Sequence, residues 1–508
     1  MGWELEDVEK PFVAQLQGLD WQHTEGSLDD PAITGRNSFS EVIQCAALAE
    51  RLRAINLRDG QPWLDDQRIA EALAAITRLG AGKLMEANQT ATELLLKGIT
   101  VDGLPGWEGG RGQTLQYIDW DTPANNHFSV INQFRVDCPP GYNSGKKFIV
   151  PDLVLLVNGI PLVVVECKSP SIPEPLAEAV DQLRRYSNQR KAAFEVEENE
   201  GNESLFASVQ LLIASSYDEA RVGCIGAGFA HFSQWKTVVG PDGNGSEQAV
   251  AEQLGKTKLS EQERLVAGML TPAHLLDLIR HFMLFMQVGG RTIKTVCRYQ
   301  QYRAVNRTVT RMKHGQTRLE HGESDQRGGI VWHTQGSGKS LTMVFLVRKM
   351  RTDTQLRRFK IIVVTDRKDL QSQLAATATL SGELPEVASN IEGVKALARR
   401  QGPGLVFATI QKYRIPEQDE DAATPGSAQI APPLKAAEKP ALYQVSKPFE
   451  VLNHDESILV LIDEAHRTQA GDLQANLLAG LPNCVRIGFT GTPIIMGNKK
   501  RTCLLIHI

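Results

Sequence analysis

Apolar residues recur at helical spacing from Ser38 to Leu57 and again from Asp66 to Leu79, so the first hundred residues read mainly as helices. From Gln113 to Glu166 the pattern changes to short β-rich runs. The densest lies between Asp152 and Cys167, where two Val/Leu/Ile runs flank Asn158-Gly159, a pair suited to a two-residue hairpin turn. A helical stretch follows from about Pro175 to Arg190, and Val209 to Ala214 resumes the sheet. Gly240-Pro-Asp-Gly-Asn-Gly-Ser246 and the polar stretch to Gln262 predict a linker, and Thr271-Pro272 opens a helix. Beyond it, Ile330 to Trp332, Lys360 to Val364, Leu405 to Ala408, Ile458 to Ile462 and Val485 to Phe489 read as short buried strands. Helical patterns lie between them, which predicts a parallel α/β sheet. Residues 414–447, rich in Pro, Ala and charge, read as an insertion or mobile loop. The expected division is therefore 1–240, a linker over 241–262, and 263–508.

Bulk properties narrow the class. At 508 residues the chain can bury two or three cores. No run of eighteen apolar residues is present, so no membrane span is expected, and the acidic start of the chain is no secretory signal. The seven cysteines, at 45, 138, 167, 224, 297, 484 and 503, form no Cys-x-x-Cys pair, which points to reduced thiols and a cytoplasmic protein. A net charge of −4 leaves room for nucleic acid only at a local basic patch.

Ile330 to Ser340 runs strand, glycine loop, helix, the context a phosphate-binding loop requires. Gly336, Ser337 and Gly338 would curl backbone N–H groups around phosphate oxygens. Lys339 would reach the β- and γ-phosphates of ATP, and Ser340 would hold Mg²⁺. The strict pattern has glycine where His333 stands. A second element supports the first: Leu459-Val-Leu-Ile462 is an apolar strand ending in Asp463-Glu464-Ala465-His466. Asp463 is placed to bind Mg²⁺ and Glu464 to polarise the attacking water. Thr490-Gly-Thr-Pro493 follows the next strand. In this order the motifs resemble those of the first RecA-like domain of superfamily-2 helicases and translocases. That resemblance implies backbone contacts to nucleic acid from Thr365, Arg367, Lys368, Thr409 and Lys412, and adenine reading by Gln301 in Arg298-Tyr-Gln-Gln-Tyr302. Arg303, Arg307 and Arg311 recur every fourth residue, either tracking phosphates or forming a solvated face.

The other constellation is Pro151-Asp152 followed by Glu166-Cys167-Lys168. Two carboxylates can hold Mg²⁺, which polarises a scissile phosphate, and Lys168 can position or deprotonate the water. A plain two-residue turn at Asn158-Gly159 pairs Asp152 with Val165 and puts Asp152 and Glu166 on opposite faces. The site therefore requires a three-residue loop including Ile160, or a bulge, and Pro161 suits such an irregularity. Gln182 and Tyr186, four apart, share one face of the following helix. They could bond DNA phosphate, brace the ligands, or simply pack.

These features resemble the PD-(D/E)xK nucleases with a Gln-x-x-x-Tyr helix. A nuclease of that kind followed by a superfamily-2 motor is similar to the restriction (R) subunit of type I restriction–modification enzymes. The resemblance implies ATP-dependent translocation of double-stranded DNA coupled to Mg²⁺-dependent cleavage, in a complex with modification and specificity subunits. A complete motor has a second RecA-like domain. The chain stops about fifteen residues after the Thr490 motif, so a truncated product unable to translocate by itself is expected. The alternatives are an ATP-independent nuclease, or an inactive remnant docked on the methyltransferase core. An RNA helicase leaves the N-terminal block without a role, and type III restriction subunits place the nuclease after the motor.

Overall fold

Strands apolar on both faces are stable only between two covering layers, and this requirement organises the chain. The computed structural model describes residues 4–79, 83–104, 106, 110–140, 147–189, 200–332, 338–365, 371, 374–375, 384–388, 390–409, 450–463, 471–491 and 505–506. They fall into two compact units, Met1–Asn306 and Arg307–Ile508.

In the first unit a π-helical turn, Leu5–Glu9, runs into α1 (Lys10–Gln17) and β1 (Gln22–Glu25). Three helices follow: α2 (Cys45–Ile55), α3 (Asp66–Thr77) and α4 (Leu84–Lys97). Then come β2 (Phe128–Asn132), β3 (Leu153–Val157), β4 (Ile160–Cys167), α5 (Pro175–Tyr186), β5 (Leu211–Ser215) and β6 (Ala220–Gly223). The six strands form one mixed sheet whose order follows the chain. β1–β2 and β4–β5 are parallel and the other pairs antiparallel. Leu176, Ala179, Val180 and Leu183 of α5 pack on Val154, Leu156, Val164 and Leu212, so this helix covers one face of the sheet. Residues 241–262 lie in this unit and carry the helix Glu247–Gln253, whose Ala251 joins Val238, Leu259 and Ala267 in a small core. After α6 (Pro272–His281), a hairpin of β7 (Met283–Val288) and β8 (Arg291–Val296) leads into α7 (Tyr299–His314), which carries the chain from one unit to the next.

The turn between β3 and β4 fixes the register. Asn158 and Gly159 have φ of +53° and +81°, the left-handed pair of a two-residue hairpin. Gly159 also lies against α2, since a Cβ there would stand 2.9 Å from the Gln44 carbonyl oxygen. Ile160 pairs with Val157 and Pro161 with Leu156, but the next pair is Val163 with Leu155. Leu162 is therefore the extra residue of a β-bulge.

The second unit holds β9 (Gly329–Trp332), α8 (Lys339–Thr352), β10 (Lys360–Thr365), β11 (Glu386–Ala388), β12 (Gly404–Thr409), β13 (Ile458–Asp463), β14 (Val485–Thr490) and β15 (Leu505–Ile506). They form a seven-stranded sheet in the order β11-β12-β10-β13-β14-β9-β15, and every pair is parallel. All five strands expected here are present. The two added edge strands are short: three residues in β11 and two in β15.

Gly159→Ala should cost about 2 kcal/mol or more, because it adds a clash to a strained φ. Gly60→Ala has a φ of +77° but nothing within 4 Å of its Cβ, and should cost about 1 kcal/mol. Urea unfolding of both variants checks this, and equal costs would contradict the contact with α2.

Candidate active site

Residues facing each other on paired antiparallel strands project to the same side, so the bulge at Leu162 decides where the acidic side chains go. Beyond it Val165 pairs with Leu153, and one further step sets Asp152 opposite Glu166. Both then share the face of Val154, Leu156 and Val164, the face covered by α5. The Asp152 carboxyl reaches the end of β4, where its Oδ2 accepts the Cys167 N–H at 2.7 Å. Lys168 Nζ donates to Glu166 Oε1 at 2.8 Å and to the Cys167 carbonyl at 3.0 Å. Glu166 is 0 % exposed, and no donor reaches its Oε2. From α5, Gln182 Nε2 donates to the Tyr186 hydroxyl at 2.8 Å, which donates to the Val150 carbonyl at 3.3 Å, two residues before Asp152.

The electrostatics show a site short of positive charge. Burial pushes Asp152 up to about 6, against the pull of Lys168 and the Cys167 N–H. Burial and then Asp152 push Glu166 well above the usual carboxylate range. Burial presses Lys168 down, but Glu166 and Asp152 outweigh it and hold the ammonium above its ordinary value. Burial, with Glu166 next, raises the Tyr186 hydroxyl.

A further carboxylate joins this field that sequence reasoning missed. Glu9, at the end of the π-helical turn, is buried and accepts from Asn132 Nδ2 at 3.2 Å. Asn132 Oδ1 in turn meets His23 Nε2 at 3.0 Å. Burial and then Asp152 push Glu9 up to about 7. Among the described residues no three His, Cys, Asp or Glu side chains stand close enough to cage a metal alone. The donor set that fits is the hard-oxygen pair Asp152 and Glu166, with its orphaned Oε2. Water and phosphate oxygens would complete the coordination, as suits Mg²⁺.

In the second unit, pairing aligns the carboxyl ends of the strands: Thr365 with Thr409, Asp463 with Phe489, and Trp332 with Thr490. Thr365 Oγ1 donates to Asp463 Oδ2 at 3.3 Å, and Asp463 is buried. Gly338, with φ +84°, begins α8 at its N-cap, followed by the buried Lys339 and the half-buried Ser340. Lys339, Ser340 and Gly338 therefore stand at a helix N-terminus, where the helix dipole favours an anion. Gly336, Ser337, Glu464, Arg367, Lys368 and Lys412 lie outside the described residues. Gln301, in the first unit, is buried, and its Oε1 accepts the Arg298 N–H at 2.8 Å, so bidentate adenine reading requires that bond to open. Arg311 Nε donates to the Gly328 carbonyl at 2.7 Å, a packing role.

Comparison with known proteins follows the same division. Residues 4–229 match the family described as type I restriction enzyme R protein N terminus, and residues 300–505 match SWI2/SNF2 ATPase. The chain is 32% identical to the type I restriction enzyme HindI endonuclease subunit of Haemophilus influenzae, over 97% of this chain and 43% of that protein. It is 26% identical to the putative type I restriction enzyme MjaIXP endonuclease subunit of Methanocaldococcus jannaschii, over 98% of this chain and 43% of that protein. The chain thus spans less than half the length of these relatives. The two matched regions lie in sequence along the chain, the first similar to the type I restriction enzyme R protein N terminus and the second to a SWI2/SNF2 ATPase.

Proposed function

We propose that the chain acts as part of the restriction subunit of a type I restriction endonuclease, cutting double-stranded DNA with Mg²⁺ and moving DNA by ATP hydrolysis. In this reading a PD-(D/E)xK nuclease domain over 1–240 joins, through 241–262, a RecA-like motor domain over 263–508 in a cytoplasmic protein. Modification and specificity subunits are its partners. Among the described residues no helix is long and apolar enough to cross a membrane.

The observation that carries the reading is the Asp152–Glu166–Lys168 arrangement, with the half-buried Asp152 set opposite the buried Glu166 and one Glu166 oxygen left without a donor. When bound there, Mg²⁺ supplies charge that activates the scissile phosphate and a water. Asp152 and Glu166 would hold the metal, and the Lys168 ammonium, bonded to Glu166, would orient the water. Gln182 and Tyr186 brace the Val150–Asp152 turn. In the ATPase domain, Lys339 would contact the β- and γ-phosphates, Ser340 and Asp463 would hold the nucleotide's Mg²⁺, and Glu464 would polarise water.

Cleavage of plasmid DNA by the purified chain, with Mg²⁺, ATP and the modification–specificity core, tests the reading. Asp152→Ala should abolish cutting while sparing ATP hydrolysis, and Lys339→Ala should abolish both. Cutting by Asp152→Ala would overturn the nuclease assignment.

Burial also gives a stability signature without metal. The folded protein keeps the Asp152 proton up to about pH 6, above its ordinary 3.8. Folding therefore carries a penalty above that pH, and the penalty fades as pH falls through it. Asp152→Asn should unfold about 1–3 kcal/mol harder than wild type at about pH 8, with no gain near pH 4. Metal-free urea unfolding at both pH values checks this.

A further inference from the structure

Lys294 of β8 is 5% exposed, and its ammonium is hydrogen-bonded, among the described residues, to neutral groups. Burying an ammonium without a counter-charge is costly, and this one is held by three neutral acceptors. It donates to Gln210 Oε1 at 2.6 Å, Asn88 Oδ1 at 2.7 Å and Thr92 Oγ1 at 3.3 Å. The groups it grips hold the bulge. Asn88 Nδ2, on α4, donates to the Phe206, Ala207 and Val209 carbonyls, shaping the loop before β5. From that loop, Ser208 Oγ donates to the Pro161 carbonyl at 2.8 Å, and the Gln210 N–H donates to the Leu162 carbonyl at 2.7 Å. Those carbonyls belong to the bulged residue and the one before it. Thr92 Oγ1 also donates to Gln210 Oε1, so the clasp closes on itself.

We propose that Lys294 is a positioning residue for the nuclease site, locking the Leu162 bulge that sets Asp152 opposite Glu166. It does so from the hairpin that leads directly into α7 and the motor unit. The catalytic register is thus tied to the segment through which the chain enters the motor. The inference rests on the nuclease reading for its consequence, but the lock itself is a statement about register.

Hydrogen exchange of the full chain reads the lock directly. The Cys167 N–H reports the Asp152 contact and the Gln210 N–H reports the bulge. In Lys294→Met both should exchange about tenfold faster or more, while amides of β10 keep their rates. In cleavage assays the same variant should need about tenfold more Mg²⁺ for half-maximal cutting, with ATP hydrolysis unchanged. Lys294→Gln, which keeps a donor, should recover part of both effects. If the variants do not fold, wild-type exchange decides: Cys167, Gln210 and the β8 amides should open with one shared free energy. Loosening of β8 alone, with Cys167 and Gln210 still protected and the Mg²⁺ requirement unchanged, would overturn the proposal. A wild-type chain that never cuts would overturn the nuclease reading instead, leaving the exchange rates to decide the lock.

Discussion

Side chains alternate along a strand with a period of two, so one residue of register decides whether two carboxylates on neighbouring strands meet or point apart. Here the turn at Asn158-Gly159 sets one register and the bulge at Leu162 sets the other. The turn docks the hairpin on α2, while the bulge turns Glu166 toward Asp152. With that facing come the raised carboxyls, the Lys168 bond and the orphaned Glu166 oxygen. A buried pair of this kind destabilises the fold unless a cation joins it. The strands around it offset that cost: β3 and β4 are buried along their whole length.

The motor sheet solves a different problem with simpler means. A parallel sheet places all its strand ends on one edge, and loops there can converge on a ligand without any special register. Gly338 and Lys339 begin a helix at that edge, and Asp463 ends a strand at it, tied to Thr365. The first unit depends on one irregularity in a mixed sheet, whereas the ATPase domain depends on the regularity of a parallel one.

This contrast accounts for what could be read from the residues. All five of these strands were legible because each is a short, dense apolar run between polar stretches. The edge strands Glu386–Ala388 and Leu505–Ile506 were not, being too short to show a period. The hairpin turn was legible from Asn158-Gly159, and the need for an irregularity followed from parity. The choice between a longer loop and a bulge was not, because Ser208 and Gln210 hold it, some 47 residues from Pro161 along the chain. Glu9 was hidden for the same reason: nothing in its helix marks it, and only Asn132 and Asp152 give it a role. β1, with the sequence Gln-His-Thr-Glu, has no apolar alternation and joins the sheet by pairing with β2.

On the reading proposed above, Asp152 and Glu166 face each other and share one divalent ion. Anomalous diffraction from crystals of the chain soaked in Mn²⁺ tests it most directly. The account predicts a single strong peak in the first unit, about 2.1 Å from a carboxyl oxygen of each residue. A peak elsewhere, or electron density with the two carboxyls on opposite faces of the sheet, would contradict it.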